Sequence, residues 1–211
     1  MMQPGRTLTG MFCGAALFAS SGVYAQANPA EQLTQLLEPL HSYSGDFKQV
    51  VAGDNGQAAQ QASGHMWLAR PGKFNWQVNA PYSQTVVSNG QKVYLYDPDL
   101  NQVSVRDLDP QVTSTPALLL SGSAGQITRD YSVTERSNGD AKVFSLTPRD
   151  KGSLFQSLQM TFYDNRLTSL SMEDPSGQQT RVSFSNIEQN GSIDSSRFVF
   201  NTPKGADVVE Q

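Results

Sequence analysis

Hydrophobic positions in this chain follow a helical period first and a strand period afterwards. Leu33, Leu36, Leu37 and Leu40 recur at i, i+3, i+4 and i+7, the spacing of one apolar stripe on a helix. Asn28 precedes them as a cap and Pro29 as a first-turn proline, and Pro39 ends or kinks the helix. From Ser44 onward the period is two. Phe74, Trp76 and Val78 alternate with Asn75 and Gln77, Leu158, Met160 and Phe162 with Gln159 and Thr161, and Val182 and Phe184 with Ser183 and Ser185. Such alternation predicts half-buried strands. Turn signals punctuate it at Asn89-Gly90, Asp97-Pro98-Asp99, Asn138-Gly139, Asp164-Asn165, Pro175-Ser176-Gly177 and Asn190-Gly191. Short connections at this spacing predict successive antiparallel hairpins, about ten or eleven strands in one large sheet.

One more helix is predicted at Thr115-Pro116-Ala117-Leu118-Leu119-Leu120-Ser121-Gly122, with a capping threonine, a first-turn proline and a terminal glycine. Its adjacent leucines cover most of a turn, so it must be surrounded by apolar groups or pressed into them. A curved sheet of this size offers a broad apolar face, with Phe47, Phe74, Trp76, Leu95, Met160, Phe162, Val182 and Phe184 as candidates. Two short helices are all there is to cover it. Either the sheet closes tightly on itself or a cavity for an apolar ligand remains, and periodicity leaves both open.

The first 25 residues read as a secretory signal: Arg6 is the positive charge, Leu8 to Ala19 the short apolar run, and positions 25–27 the cleavage site. The remaining 28–211 segment suits a single domain. Cys13, the only cysteine, falls within the signal, which leaves the exported protein without a thiol, a disulfide or a lipid-anchoring cysteine and predicts a soluble protein. The whole chain has 15 basic and 19 acidic side chains. Removing Arg6 takes the net charge from −4 to −5, so nucleic acid and anionic membranes are poor partners.

Chemistry-bearing clusters are sparse. His41 and His65 are the only histidines, no Gly-x-Ser-x-Gly pattern occurs, and the histidines lack metal-ligand spacing. Asp97, Asp99, Asp107 and Asp109 lie in a turn context without the glycine and closing glutamate of a calcium hand. No enzyme, cofactor or metal site is expected.

The segment Trp67-Leu-Ala-Arg70-Pro71-Gly-Lys-Phe74-Asn-Trp76 instead places one arginine in an aromatic, strand-forming stretch. With a two-residue Pro71-Gly72 turn, Arg70 pairs with Lys73 and faces solvent. With a three-residue Pro71-Gly72-Lys73 loop, it pairs with Phe74 and shares the apolar face with Met66, Leu68, Trp76 and Val78. An inward guanidinium needs acceptors, and the free carbonyls of a helix end are its natural partners.

Trp67-x-x-Arg70-Pro71-x-x-Phe74-x-Trp76 resembles the signature of the LolA family of periplasmic lipoprotein carriers. Matching features follow in order: the leucine helix, Ser44-Gly-Asp-Phe47-Lys-Gln49, Val87-Ser-Asn89-Gly90, Tyr96-Asp-Pro98, the Thr115-Pro116 helix, Leu146-Thr-Pro148, and Phe198-x-Phe200-x-x-Pro203-x-Gly205-x-x-Val208. The resemblance implies an unclosed antiparallel β-barrel with a helical lid over a hydrophobic cavity. It further implies a monomeric carrier that takes acylated lipoproteins from an inner-membrane ABC transporter to a LolB-like outer-membrane receptor. Arg70 would latch the lid, with Leu33, Leu36, Leu37 and Leu40 as lid-helix contacts. Phe47, Met66, Leu68, Phe74, Trp76, Val78, Leu95, Leu118, Leu119, Met160, Phe162, Val182 and Phe184 would meet the acyl chains. The rival readings are a lipid-binding receptor or sensory module of the same fold, and a secreted hydrolase.

Overall fold

The computed structural model describes residues 28–52, 58–108, 120–150, 153 and 155–210. Helix α1, Pro29–Leu37, is capped by Asn28, whose side chain accepts from the Ala30 amide at 3.0 Å. It ends at Leu37; Glu38 still has helical dihedrals and its amide donates to the Thr34 carbonyl at 2.7 Å, but Pro39 has no amide hydrogen with which to continue the ladder. Leu33 and Leu37 are wholly buried and Leu40, just beyond the helix, nearly so; Leu36 packs at the margin.

Twelve strands then form one open sheet: β1 Ser42–Ala52, β2 Ala58–Ala69, β3 Lys73–Ala80, β4 Gln84–Asn89, β5 Lys92–Asp97, β6 Gln102–Asp107, β7 Tyr131–Asn138, β8 Ala141–Pro148, β9 Ser157–Tyr163, β10 Arg166–Glu173, β11 Gln179–Gln189 and β12 Asp207–Glu210. Their order is β12-β6-β5-β4-β3-β2-β1-β11-β10-β9-β8-β7. Two antiparallel meanders, β1 to β6 and β7 to β11, thus join along the β1–β11 seam. Turn chemistry follows the sequence pattern: Asp164 and Asn165 both have positive φ, 50° and 59°, as the twist of a two-residue hairpin loop requires. The twelfth strand exceeds the hairpin count because β12 pairs parallel to β6, a contact that no turn signal announces.

The alternating residues align in rows across the inner face. One row runs Tyr43, Leu68, Phe74, Ser88, Val93, and the next runs Gly45, Met66, Trp76, Val86, Leu95. Across the seam Phe47 stands opposite Phe184, and Val182, Leu170, Met160 and Phe144 continue the apolar surface. With Leu33, Leu37, Leu40 and Leu120 they make one core. Aromatic contacts order it: Phe47 stacks on Trp76 at 3.8 Å between ring centroids, and Tyr43 meets Phe184 edge-on at 5.4 Å. The buried Tyr43 hydroxyl, its pKa raised by desolvation, donates to the Leu167 carbonyl at 2.8 Å, beside the irregular register between Leu167 and Ser169.

A second helix, α2, Ala124–Asp130, lies between β6 and β7 and packs on α1. Only Leu120 and Ser121 of the predicted 115–122 helix are both helical and described with it, and both are buried; Leu118 and Leu119 lie outside the described residues. Pattern reading did not anticipate α2, whose described core residues are Ala124 and Ile127. A shorter layer covers the opposite face. The 3-10 helix Ser195–Phe198 lies over β3 and β4, Phe198 is buried, and Phe200 stacks on Tyr94 at 5.3 Å.

Gly64 faces Phe47 in the β1–β2 ladder, and a Cβ there would stand 2.8 Å from the Phe47 ring and against the Gln77 carbonyl. The Phe47–Trp76 stack therefore needs a glycine at this point. Gly64→Ala is expected to lower unfolding stability by about 1–3 kcal/mol, as overpacking does. Urea denaturation followed through tryptophan fluorescence measures it, and an unchanged midpoint would contradict the packing argument.

Candidate functional site

The loop between β2 and β3 is a meeting point for both helical segments. Leu68 pairs with Phe74 and Ala69 with Lys73, so the loop has three residues, Arg70, Pro71 and Gly72. This corrects the expected register by one. Lys73 belongs to the strand, and Arg70 sits in the loop itself rather than opposite Phe74. The inward direction survives for a different reason: Arg70 follows Leu68 by two residues at the strand end, and its side chain crosses over the core to reach helical carbonyls.

Those contacts are specific. Arg70 Nη1 donates to the Leu37 carbonyl at 2.6 Å, and Nε donates to the Leu120 carbonyl at 3.0 Å. Leu37 is the last residue of α1, so its carbonyl lies at the negative end of the helix dipole, where it also accepts from the Leu40 amide at 3.1 Å and has a second lone pair for the guanidinium. The Arg70 backbone amide also donates to the His41 carbonyl at 2.9 Å. Two residues on, the Gly72 amide donates to the Ser121 carbonyl at 3.1 Å, and the Gly72 carbonyl accepts from Ser88 Oγ at 2.7 Å. Gly72 has φ +69°, a conformation that suits glycine, and a Cβ there would stand 3.0 Å from the Leu108 side chain. The guanidinium is half-buried and its pKa is lowered by desolvation, yet arginine keeps its charge throughout the accessible pH range.

The structure gathers most of the apolar site residues expected from sequence. Phe47, Met66, Leu68, Phe74, Trp76, Met160, Phe162, Val182 and Phe184 are all buried in one cluster with Leu33, Leu37 and Leu40. Leu36, Val78 and Leu95 are partly buried and pack against its margin. Sequence reading assigned no role to Ser88, Gly72, Ser121 or Tyr43. A serine on the inner-face parity just before an Asn-Gly turn is the one signal that could have singled out Ser88.

On the opposite face a polar group clusters without joining this site. The exposed Asp46 carboxylate meets His65 Nδ1 at 2.7 Å and accepts from Asn186 Nδ2 at 2.7 Å. The Asn186 and His65 hydrogen bonds lower the Asp46 pKa. Arg197 lies over the Trp67 ring at 4.5 Å. Among the described residues, no group of three or more His, Cys, Asp or Glu could hold a metal ion.

Fold and site together define a class: an open, mainly antiparallel sheet folded over an apolar interior, with two helical segments tied to one half-buried arginine. The family described as outer membrane lipoprotein carrier protein LolA matches residues 38–201. An outer-membrane lipoprotein carrier protein of Chromohalobacter salexigens is 56% identical over 198 residues, 94% of each chain. One from Azotobacter vinelandii is 39% identical over 201 residues, 95% of this chain and 97% of its own. The chain belongs to the LolA family. A solved structure of an uncharacterised conserved protein from Thermus thermophilus shares the fold at a TM-score of 0.52 and 12% identity, covering 86% of this chain and 96% of its own.

Ser88→Ala removes the hydroxyl that serves the Gly72 carbonyl, and is expected to cost about 1–3 kcal/mol in urea denaturation; no loss would mean that the carbonyl finds another donor. The lowered Asp46 pKa gives a contribution that is present above the ordinary carboxylate range and lost as pH falls through the lowered value. Asp46→Asn should therefore narrow its stability gap from the unsubstituted protein as the medium is acidified through and below the ordinary carboxylate range, measured as Tm against pH. A gap that widens over that range would reverse the sign.

Proposed function

We propose that this protein is a periplasmic carrier that binds the acyl chains of lipoproteins released from the inner membrane and delivers them to an outer-membrane receptor. Residues 1–25 serve as its export signal, and residues 28–211 act as a monomeric carrier domain. An inner-membrane ABC transporter supplies the cargo and a LolB-like lipoprotein accepts it. Membership of the LolA family supports the class. The observation that carries the mechanism is the single guanidinium bonded to the carbonyls of both helical segments over the apolar core.

The energetics of transport require such a device. Burial of a methylene gains ~0.8 kcal/mol, so a palmitoyl-length chain gains on the order of 10 kcal/mol on leaving water. A bare acylated protein therefore does not cross an aqueous space, and a carrier that held it with all of that energy would not release it. Opening the lid offsets part of the gain. Cargo enters only if the Arg70 bonds to Leu37 and Leu120 give way and the core side chains part, which weakens binding by the cost of opening. The acyl chains then contact Phe47, Met66, Leu68, Phe74, Trp76, Met160, Phe162, Val182 and Phe184, with Val78 and Leu95 at the margin. Closing the empty carrier restores the latch and favours onward transfer without nucleotide at this step.

Arg70→Leu removes the latch and keeps an apolar side chain in its place. The variant is expected to fold, to load from the membrane, and to pass cargo to the receptor at least about tenfold more slowly, roughly the loss of one charged hydrogen bond. Transfer of a labelled lipoprotein in a reconstituted carrier and receptor assay measures this, and transfer at the normal rate would remove the latch from the mechanism. Mass spectrometry of lipid extracted from the purified protein is expected to find acylated cargo.

A further inference from the structure

Arg70 has a donor to spare. Nε and Nη1 are each bonded to a backbone carbonyl, whereas Nη2 is buried from solvent and has no hydrogen-bond partner. A buried donor without an acceptor is costly, the more so on a charged group. Both bonded acceptors are neutral, so they solvate the charge without cancelling it. The guanidinium therefore lies over an apolar core with two carbonyls holding it and a further N–H group facing no acceptor.

We infer that Nη2 of Arg70 is a binding site for the oxygen acceptor at the head of a fatty-acyl chain, an ester carbonyl or a carboxylate. The inference rests on the carrier reading and deepens it. A saturated chain entering among Phe74, Trp76 and Leu68 carries its only polar atoms at the head, where they too need a donor once water is excluded. Arg70, in the loop that follows β2 and two residues on from the buried Leu68, is placed to supply one. Satisfying Nη2 in this way lowers the cost of losing the Leu120 and Leu37 bonds, so the same side chain that holds the empty state closed also recognises what opens it. Arg70 thereby distinguishes acyl cargo from plain hydrocarbon of equal length.

Competition against an apolar fluorescent probe tests this in the full chain, using dioctanoylglycerol, the dioctyl ether of glycerol, and octanoate. The diether lacks the carbonyls and is the more apolar of the first two, so hydrophobic burial alone favours it. The expected result is that at least one of the two ligands with a carbonyl or carboxylate head displaces the probe about tenfold more tightly than the diether, the worth of one charge-assisted hydrogen bond. A preference for the diester assigns the acceptor to an ester carbonyl, and a preference for octanoate assigns it to a carboxylate. The preference should fall to within about twofold in Arg70→Leu. A diether that binds as tightly as both others in the unsubstituted protein overturns the inference and leaves the carrier reading standing, and so does a preference that persists in Arg70→Leu. Displacement by none of the three overturns the carrier reading as well.

Discussion

A guanidinium cannot leave water without acceptors, and in this molecule the acceptors are backbone carbonyls of two helical segments. That constraint ties together parts of the chain far apart in sequence. Leu37 ends α1, Leu120 lies in the connection between the two meanders, and Arg70 follows β2. α1, nine residues long, has little reason to stay in place by itself, and neither has the segment at Leu120, because short helices are marginal in water. Their burial against the sheet and their shared donor fix them together. The neighbouring bonds from Gly72 to Ser121 and from Ser88 to Gly72 hold the loop that carries the arginine.

The two faces of the sheet are built differently, and the difference suits their tasks. The inner face is covered by side chains from helices that are joined to it through a few polar bonds at one end. The outer face of β2 to β6 is covered by the chain's own C-terminal stretch, through Phe198, Phe200, the Asn75 bond to the Arg197 carbonyl at 2.6 Å, and the β12 pairing with β6. A ladder and a packed aromatic layer resist local opening better than a handful of side-chain bonds. Rigidity is thus concentrated behind the strands that present Phe74 and Trp76, and adjustability is concentrated in front of them.

Much of the fold was legible in the sequence because period-two alternation and turn residues act locally. Trp76 beside Asn75 and Gln77 declares its face without help from distant residues, and Asp164-Asn165 declares its turn. The leucine spacing of α1 and its Asn28-Pro29 start were equally readable. What escaped depended on tertiary contact. β12 is a four-residue strand paired in parallel, and the described core residues of α2, Ala124 and Ile127, are too few to set a helical stripe. The residues alone left Arg70 free to face solvent or the core, and only the family resemblance turned it inward. Its register was neither of the two that the proline and glycine suggested: the loop is Arg70-Pro71-Gly72, which sets Gly72 against Ser121 and Ser88.

The β1–β11 seam has a consequence for how the molecule is made. Tyr43 pairs with Gln189 and Phe47 with Phe184, so the middle of the sheet joins the beginning of the chain to its end. Each meander can assemble through local hairpins, which form quickly, while the join between them needs a long loop to close and is slow. Until β11 arrives, β1 is an open edge with Phe47 and Tyr43 beside it, a surface to which another unfinished chain could add. The strand at the centre of the finished sheet is therefore protected late, and the interval before it is paired is a time at which the chain is exposed to aggregation.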